Sequence, residues 1–303
     1  MKNWHLRLIE SAQEMKKVEV LQRGVWTGSE TDIVPVHLLI TAIHSGGLVI
    51  GAYEGIRDGG GTTLVGFVFG FPGVYRTADG LRLKHISHML GVHPDYRDCG
   101  LGFALKRAQW QMVRHHGMDL VSWTYDPLLS RNAFLNINKL GGVCNQYHRE
   151  FYGEMRDGLN VGLPSDRFEV NWWVNTKRVE RRLSRLARRR LDLAHYFAAG
   201  VEIINPTTTD ENGWSVPGGM LMPPDGEMPG KTQNKHSILL LEIPYDFQTL
   251  RMTKPELARD WRMHSRALFE ELFQQGYLVT DFVRLEGSLP RGFYVLSHGE
   301  SIL

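Results

Sequence analysis

Cysteine is nearly missing from this chain of 303 residues, with only Cys99 and Cys144 present. Two thiols are too few for a disulfide framework. Neither lies near a second cysteine at metal-ligand spacing, so both read as free thiols and no metal is expected. Charge of one sign is not in excess either, with 35 basic against 33 acidic residues. That balance argues against nucleic acid as a partner, because phosphate binding needs a clear positive surplus. Long apolar runs are lacking too. The start MKNWHLRLIESAQEM has no cleavable apolar core and no window reaches membrane-span length, so the expectation is a cytoplasmic protein without a membrane partner. What is plentiful is core material: 42% hydrophobic and 22% charged residues over this length suffice for two domains.

The densest chemistry lies in His85 to Gly117, where an apolar strand meets the tight run Arg97-Asp98-Cys99-Gly100-Leu101-Gly102 and then a long amphipathic helix. Glycine at 100 and 102 removes the Cβ atoms that would hold an anion off the backbone, and the helix presents its positive dipole end to the loop. Arg97 adds a charge-assisted contact. A Walker loop would end in Gly-Lys-Ser/Thr, but Leu101, Gly102 and Phe103 follow Gly100. A dinucleotide fingerprint would need a third glycine where Leu105 stands. A thiol at a helix N-terminus beside Arg97 has the setting that depresses a thiol pKa, although Cys99 as a small loop filler is the preferred reading.

With Val92, Pro94, Arg97, Gly100 and Gly102 at these spacings, the stretch resembles motif A of the Gcn5-related N-acetyltransferases, the GNAT superfamily, which joins the fourth strand to the third helix. The resemblance implies acetyl-CoA or another acyl-CoA as cosubstrate. The backbone of Arg97, Asp98, Cys99, Gly100, Leu101 and Gly102 would hold the pyrophosphate, and the strand end Leu90, Gly91 and Val92 would pair with the pantetheine arm. Ser130 to Gly142 reads as a helix closed by glycine and resembles motif B, which puts Ser130 where the family has Asn and Ile137 where it has a Tyr that often protonates the departing thiolate. Ser130 joins the cofactor set by position, and Ile137 leaves the acid unassigned among Tyr125, Tyr147 and Tyr152. Many members carry a Glu four residues before the motif valine. Here His88 stands there, and an imidazole pKa of roughly 6.5 suits a base near neutrality. It is the first choice for the catalytic base; the alternatives are a buried, hydrogen-bonded sheet histidine or a residue that only positions the substrate. Strict alternation puts His88 on one face with Leu90 and Val92, unless a bulge changes the facing downstream.

The order of elements fits that core. A strand at Trp4 to Leu8 leads to a helix at Ala12 to Arg23 capped by Ser11, a helix from Pro35 to His44, and a hairpin of Leu48 to Tyr53 with Thr63 to Phe71. The expected fold is therefore α/β (α+β), with a mixed, mostly antiparallel twisted sheet flanked by helices. In the superfamily, the segment between the first two helices and the loops facing the cofactor split bind the acceptor. Trp26, Thr27 and Phe71, with Asp32 and the region up to Tyr75, are the positional candidates.

Lys177 to Arg190 holds seven Arg, one Lys and one Glu around apolar positions at helical spacing, and reads as a solvated or subunit-facing helix. Residues 1–190 form the expected acyltransferase core with this basic helix. Residues 191–235 are a proline-rich connector, and 236–303 a C-terminal α/β extension with a helix capped by Thr253 and Glu256. The extension lengthens the first sheet, closes the acceptor pocket or forms a homodimer surface; the sequence leaves the three open. The resemblance as a whole implies an N-acyltransferase for a small-molecule amine such as an amino acid. Acetyl is the first acyl group, and succinyl is a second that an Arg of the basic helix or Arg131 would meet. A non-catalytic CoA-binding sensor is the alternative, followed by nucleic-acid binding through the arginines.

Overall fold

The computed structural model describes residues 3–26, 30–55, 63–153, 163–184, 191–218 and 238–298. The chain forms two compact units. The first comprises Met1–Trp123, Met155–Val161 and Asn171–Glu180; the second comprises Thr124–Glu154, Gly162–Val170 and Arg181–Leu303. This partition runs differently from the one at residues 190 and 235, because the segment after Trp123 folds with C-terminal elements.

In the first unit, β1 (Trp4–Leu8), α1 (Ala12–Val25) and α2 (Val36–His44) precede β2 (Leu48–Glu54), β3 (Leu64–Thr77) and β4 (Gly80–Val92). Then follow α3 (Leu101–His115) and β5 (Leu120–Tyr125), whose last two residues enter the second unit. Ser11 caps α1 as expected, its Oγ accepting the Glu14 N–H at 3.3 Å. The strands lie in the order β1-β2-β3-β4-β5, antiparallel except that β4 and β5 run parallel. Phe67 and Phe69 of β3 pack with Met15 and Val18 of α1 and Leu39 of α2. Gly66, on the alternate side of β3, sits within reach of Leu101 and Leu105, so α3 covers the opposite face. The β3–β4 hairpin is longer than the sequence implied, since its register continues to Thr77↔Gly80.

The second unit opens with a short α4 (Ser130–Ala133). The expected helix to Gly142 does not continue as α-helix: Phe134–Lys139 is wound as a π-helix, and β6 (Val143–His148) follows. β7 (Arg167–Trp173) begins in this unit and ends in the first. α5 (Lys177–Leu183), which begins in the first unit and ends in this one, is the described part of the basic helix; residues 185–190, with Arg185 and Arg189, lie outside the described residues. The expected connector contains α6 (Leu193–Ala198) and a hairpin of β8 (Thr207–Thr209) and β9 (Ser215–Pro217). β10 (Ile238–Ile243), α7 (Phe247–Thr253), α8 (Pro255–Gln274), β11 (Tyr277–Leu285) and β12 (Arg291–His298) complete it, with β6, β11, β12 and β10 adjacent in that order. The Thr253–Glu256 capping box does not form. Thr253 ends α7 and its Oγ1 turns back to the Thr249 carbonyl at 2.9 Å, leaving Lys254 as an uncapped start to α8.

Candidate active site in the first unit

The site begins with a fault in the β3–β4 ladder. Phe69 pairs with Met89 and Phe71 with Ile86, so the single Gly70 stands opposite both Ser87 and His88. A bulge of this kind bends the strand that carries the extra residue. β4 meets β5 through His85↔Val121 and Ile86↔Ser122, and among the described residues the same edge has no further strand pairing from Ser87 to Val92. Main-chain groups of Leu90, Gly91 and Val92 lie along that edge.

The bulge also settles the facing. Directly paired residues share a face, so Met89 and Ile86 lie with Phe69 and Phe71 on the α1/α2 side. Leu90 and Val92, paired with Val68 and Gly66, lie on the α3 side. His88 takes the α1/α2 side, its ring 5.8 Å from Phe69 and 5.7 Å from Phe71. It does not share a face with Leu90 and Val92 as strict alternation expects. The residue is exposed at the strand edge while its ring packs toward Phe69 and Phe71. Partial burial lowers its pKa below the ordinary imidazole value, which favours a neutral ring able to accept a proton.

Beyond Val92 a single 3-10 turn, Pro94–Tyr96, leads into the loop. Arg97, Asp98, Cys99 and Gly100 are all exposed, whereas Tyr96 is buried and donates its hydroxyl to Glu54 at the end of β2. That bond raises the Tyr96 phenol to about 12. The Cys99 thiol donates to the Tyr96 carbonyl at 2.8 Å, and Arg97 Nε reaches back to the Val92 carbonyl at 3.4 Å. Gly100 has φ +85° with open space where a Cβ would stand, so its requirement is conformational. The first hydrogen bond of α3 runs from Ala104 N–H to the Gly100 carbonyl, and Gly100 has no side chain with which to cap the helix. The N–H groups of Leu101, Gly102 and Phe103 therefore have no acceptor within this 15-residue helix, and they start at the exposed loop. An oxyanion placed there meets several donors and Arg97 together.

Trp26 and Phe71 lie on the α1/α2 side with His88; Thr27 lies outside the described residues. Gly91 is required by space: a Cβ would stand 2.6 Å from Phe67 Cε1 and 3.2 Å from Trp26 Cη2. Ser130 belongs to the second unit, where it is buried and its Oγ has no hydrogen-bond partner among the described residues. The same unit ranks the tyrosines that the sequence left equal. Tyr125 is buried and bonded to the Tyr294 hydroxyl at 3.1 Å, and Tyr147 donates to Asp166 at 2.6 Å. Tyr152 alone of the three is exposed, bonded to Thr124 Oγ1 at 2.9 Å. Ile137 is fully buried in the π-helical segment. Arg182 of the basic run is committed to Asp281 at 2.6 Å and to the Asn138 carbonyl at 2.9 Å.

Sequence reasoning missed a polar core between β4 and α3. Lys106 of α3 is buried and donates to Ser87 Oγ and Gln109 Oε1, each at 2.9 Å, with its Nζ 3.5 Å above the Trp123 ring. Gln109 Nε2 in turn donates to His85 Nε2 at 3.1 Å. The available signal was Lys106 and Gln109 three apart on the apolar stripe of Leu101, Leu105 and Val113.

No protein-family model and no curated protein matches the sequence. Among solved structures, the chain is similar to NAA60 of Arabidopsis thaliana in complex with acetyl-CoA at 15% identity and TM-score 0.45, over 56% of this chain and 99% of that one. It is similar to the ribosomal-protein-S18-alanine N-acetyltransferase from Escherichia coli at 12% identity and TM-score 0.41, over 57% and 96%. A GCN5-related N-acetyltransferase from Kribbella flavida aligns at 15% identity and TM-score 0.36, over 48% and 34%. The fold itself is a mixed and mostly antiparallel sheet flanked by helices.

Proposed function

We propose that the chain is an acyl-CoA-dependent N-acyltransferase acting on a small-molecule amine such as an amino acid. The observation that carries this reading is the run of amides without an intrahelical acceptor at the start of α3, reached from the end of β4 by one short turn and loop. The residues suit acyl-CoA: amides and Arg97 for the pyrophosphate, and the Leu90–Val92 edge for the amides of the pantetheine arm. Bound there, the cosubstrate supplies an activated thioester.

The amine nitrogen attacks the thioester carbonyl carbon, a C–N bond forms and the C–S bond breaks. The amine's proton passes to His88, and CoA departs as thiolate, later protonated by solvent. A thiol pKa of about 8.5 makes the thiolate a tolerable leaving group without a dedicated acid. Calorimetry with acetyl-CoA and succinyl-CoA tests the first half. Both the αL strain of Gly100→Val and a Cβ in the anion's path should weaken binding at least tenfold. Thiol release against an amine panel tests the second. Turnover should fall with His88→Ala, and the acid limb of kcat/KM should lie below pH 6.5, following the lowered His88 pKa.

A CoA-binding sensor is the second reading, favoured by the burial of Ile137 and the engagement of Tyr125 and Tyr147. It predicts tight acyl-CoA binding with no thiol release on any amine and no effect of His88→Ala.

A further inference from the structure

Around His88 the α1/α2 side of β4 offers an acceptor more than a base. Trp26, at the end of α1, packs its edge on Phe67 at 6.1 Å, and Phe71 is tilted on Phe69 at 5.7 Å. Trp26, Phe71 and Met89 pack against the core cluster but are each only half-buried, so each keeps part of its aromatic or thioether surface accessible on the side that carries the imidazole. The backbone keeps the surface in place. Gly91 lets Phe67 and Trp26 rest against the main chain, and the bulge at Ser87–His88 puts the imidazole among the rings of Phe69 and Phe71 rather than across the sheet.

Resting on the N-acyltransferase reading, we infer that this surface selects primary amines carried on an aryl-alkyl skeleton. Aromatic rings pair edge-to-face with an incoming ring, and Met89 sulfur is a further favourable ring contact. The chemistry gains as well. An ammonium brought against the Phe69 and Phe71 rings loses part of its hydration there, which favours its neutral, nucleophilic form. A strongly hydrated amine would lose its water without replacement.

The test uses the full chain with and without CoA. Phenethylamine and ethanolamine are compared by calorimetry, and then as acceptors of acetyl-CoA. Phenethylamine should bind at least tenfold more tightly. Phe71→Leu and Trp26→Leu, chosen to keep apolar volume, should each cut that preference severalfold while acetyl-CoA affinity stays as in the parent. Equal binding of the two amines, or a preference untouched by both substitutions, overturns the inference. Preferential phenethylamine binding without turnover supports this wall and counts against acyl transfer. Turnover restricted to ethanolamine supports acyl transfer and overturns the wall.

Discussion

Two buried bases between β4 and α3 make the sharpest residue-level predictions. His85 is fully buried, its Nδ1 has no partner, and burial first, then Lys106 and His116, push its pKa down to about 3. The folded state thus stays neutral where the unfolded chain, with an imidazole near 6.5, takes up a proton. The associated stability is fully present above about pH 6.5 and drains away toward pH 3, at up to ~1.4 kcal/mol per pH unit. Urea midpoints across that range should fall in the parent and flatten in His85→Gln, whose amide oxygen can still accept from Gln109. Lys106 is lowered by the same desolvation, so the fold is penalised below the unfolded lysine value, about 10.4, and gains as pH rises toward it. Lys106→Met leaves Ser87 Oγ bonded to Gln109 Oε1 at 2.9 Å. It should match or exceed the parent in Tm at pH 7, the difference shrinking toward pH 10. A large loss would mean that the cation over Trp123 outweighs its desolvation.

At the scale of elements, β4 and its loop are held by contacts outside themselves. Gly70 leaves room for the bulge: a Cβ there would stand 2.2 Å from His85 Nε2 and 2.5 Å from the Ile86 carbonyl. Gly70→Ala should cost on the order of 1–3 kcal/mol by overpacking and lower turnover more than its stability loss explains, since His88 is aimed by that bulge. Tyr96 is the loop's anchor, tied to Glu54 and carrying the Cys99 thiol on its carbonyl. Tyr96→Phe should raise KM for acyl-CoA severalfold with little change in kcat, because it loosens the pyrophosphate loop and leaves His88 alone. A drop confined to kcat would show that the anchor serves chemistry instead.

Across the molecule, the second unit is stapled by buried ion pairs. Arg262 of α8 holds Asp126 through two bonds, of 2.9 and 2.5 Å, and Arg266 holds Asp166 through two of 2.8 Å. Removing one partner is the severe case: Arg262→Met should destabilise by about 3–5 kcal/mol, because Asp126 stays buried and uncompensated. Adding Asp126→Asn should recover most of that loss, since Asn still accepts the Leu128 N–H that Asp126 Oδ1 takes at 2.9 Å. Burial raises the Asp166 carboxyl, but the bonds from Arg266 and Tyr147 outweigh it and hold its pKa below the ordinary value. Its stabilisation is therefore present above the unfolded carboxylate pKa of about 3.9 and lost as pH falls through the lower folded one. Thermal melts should show acid loss setting in first through His85 and then through Asp166.

What the sequence determined by itself is local: the Ser11 cap, the strand, the turn and the uncapped glycine start of α3 follow from which residue types tolerate which backbone angles. Arg97 and the glycines could be read as an anion loop for the same reason. What only the tertiary structure decided is pairing. The face taken by His88 depends on two residues of β4 sharing one partner on β3, and the exclusion of Tyr125 and Tyr147 as solvent-facing acids depends on Tyr294 and Asp166, distant in the chain. The Thr253–Glu256 motif failed because α7 claimed Thr253 first. Such outcomes are set by which segments compete for the same hydrogen bonds and the same buried space, and no short window of residues contains both competitors.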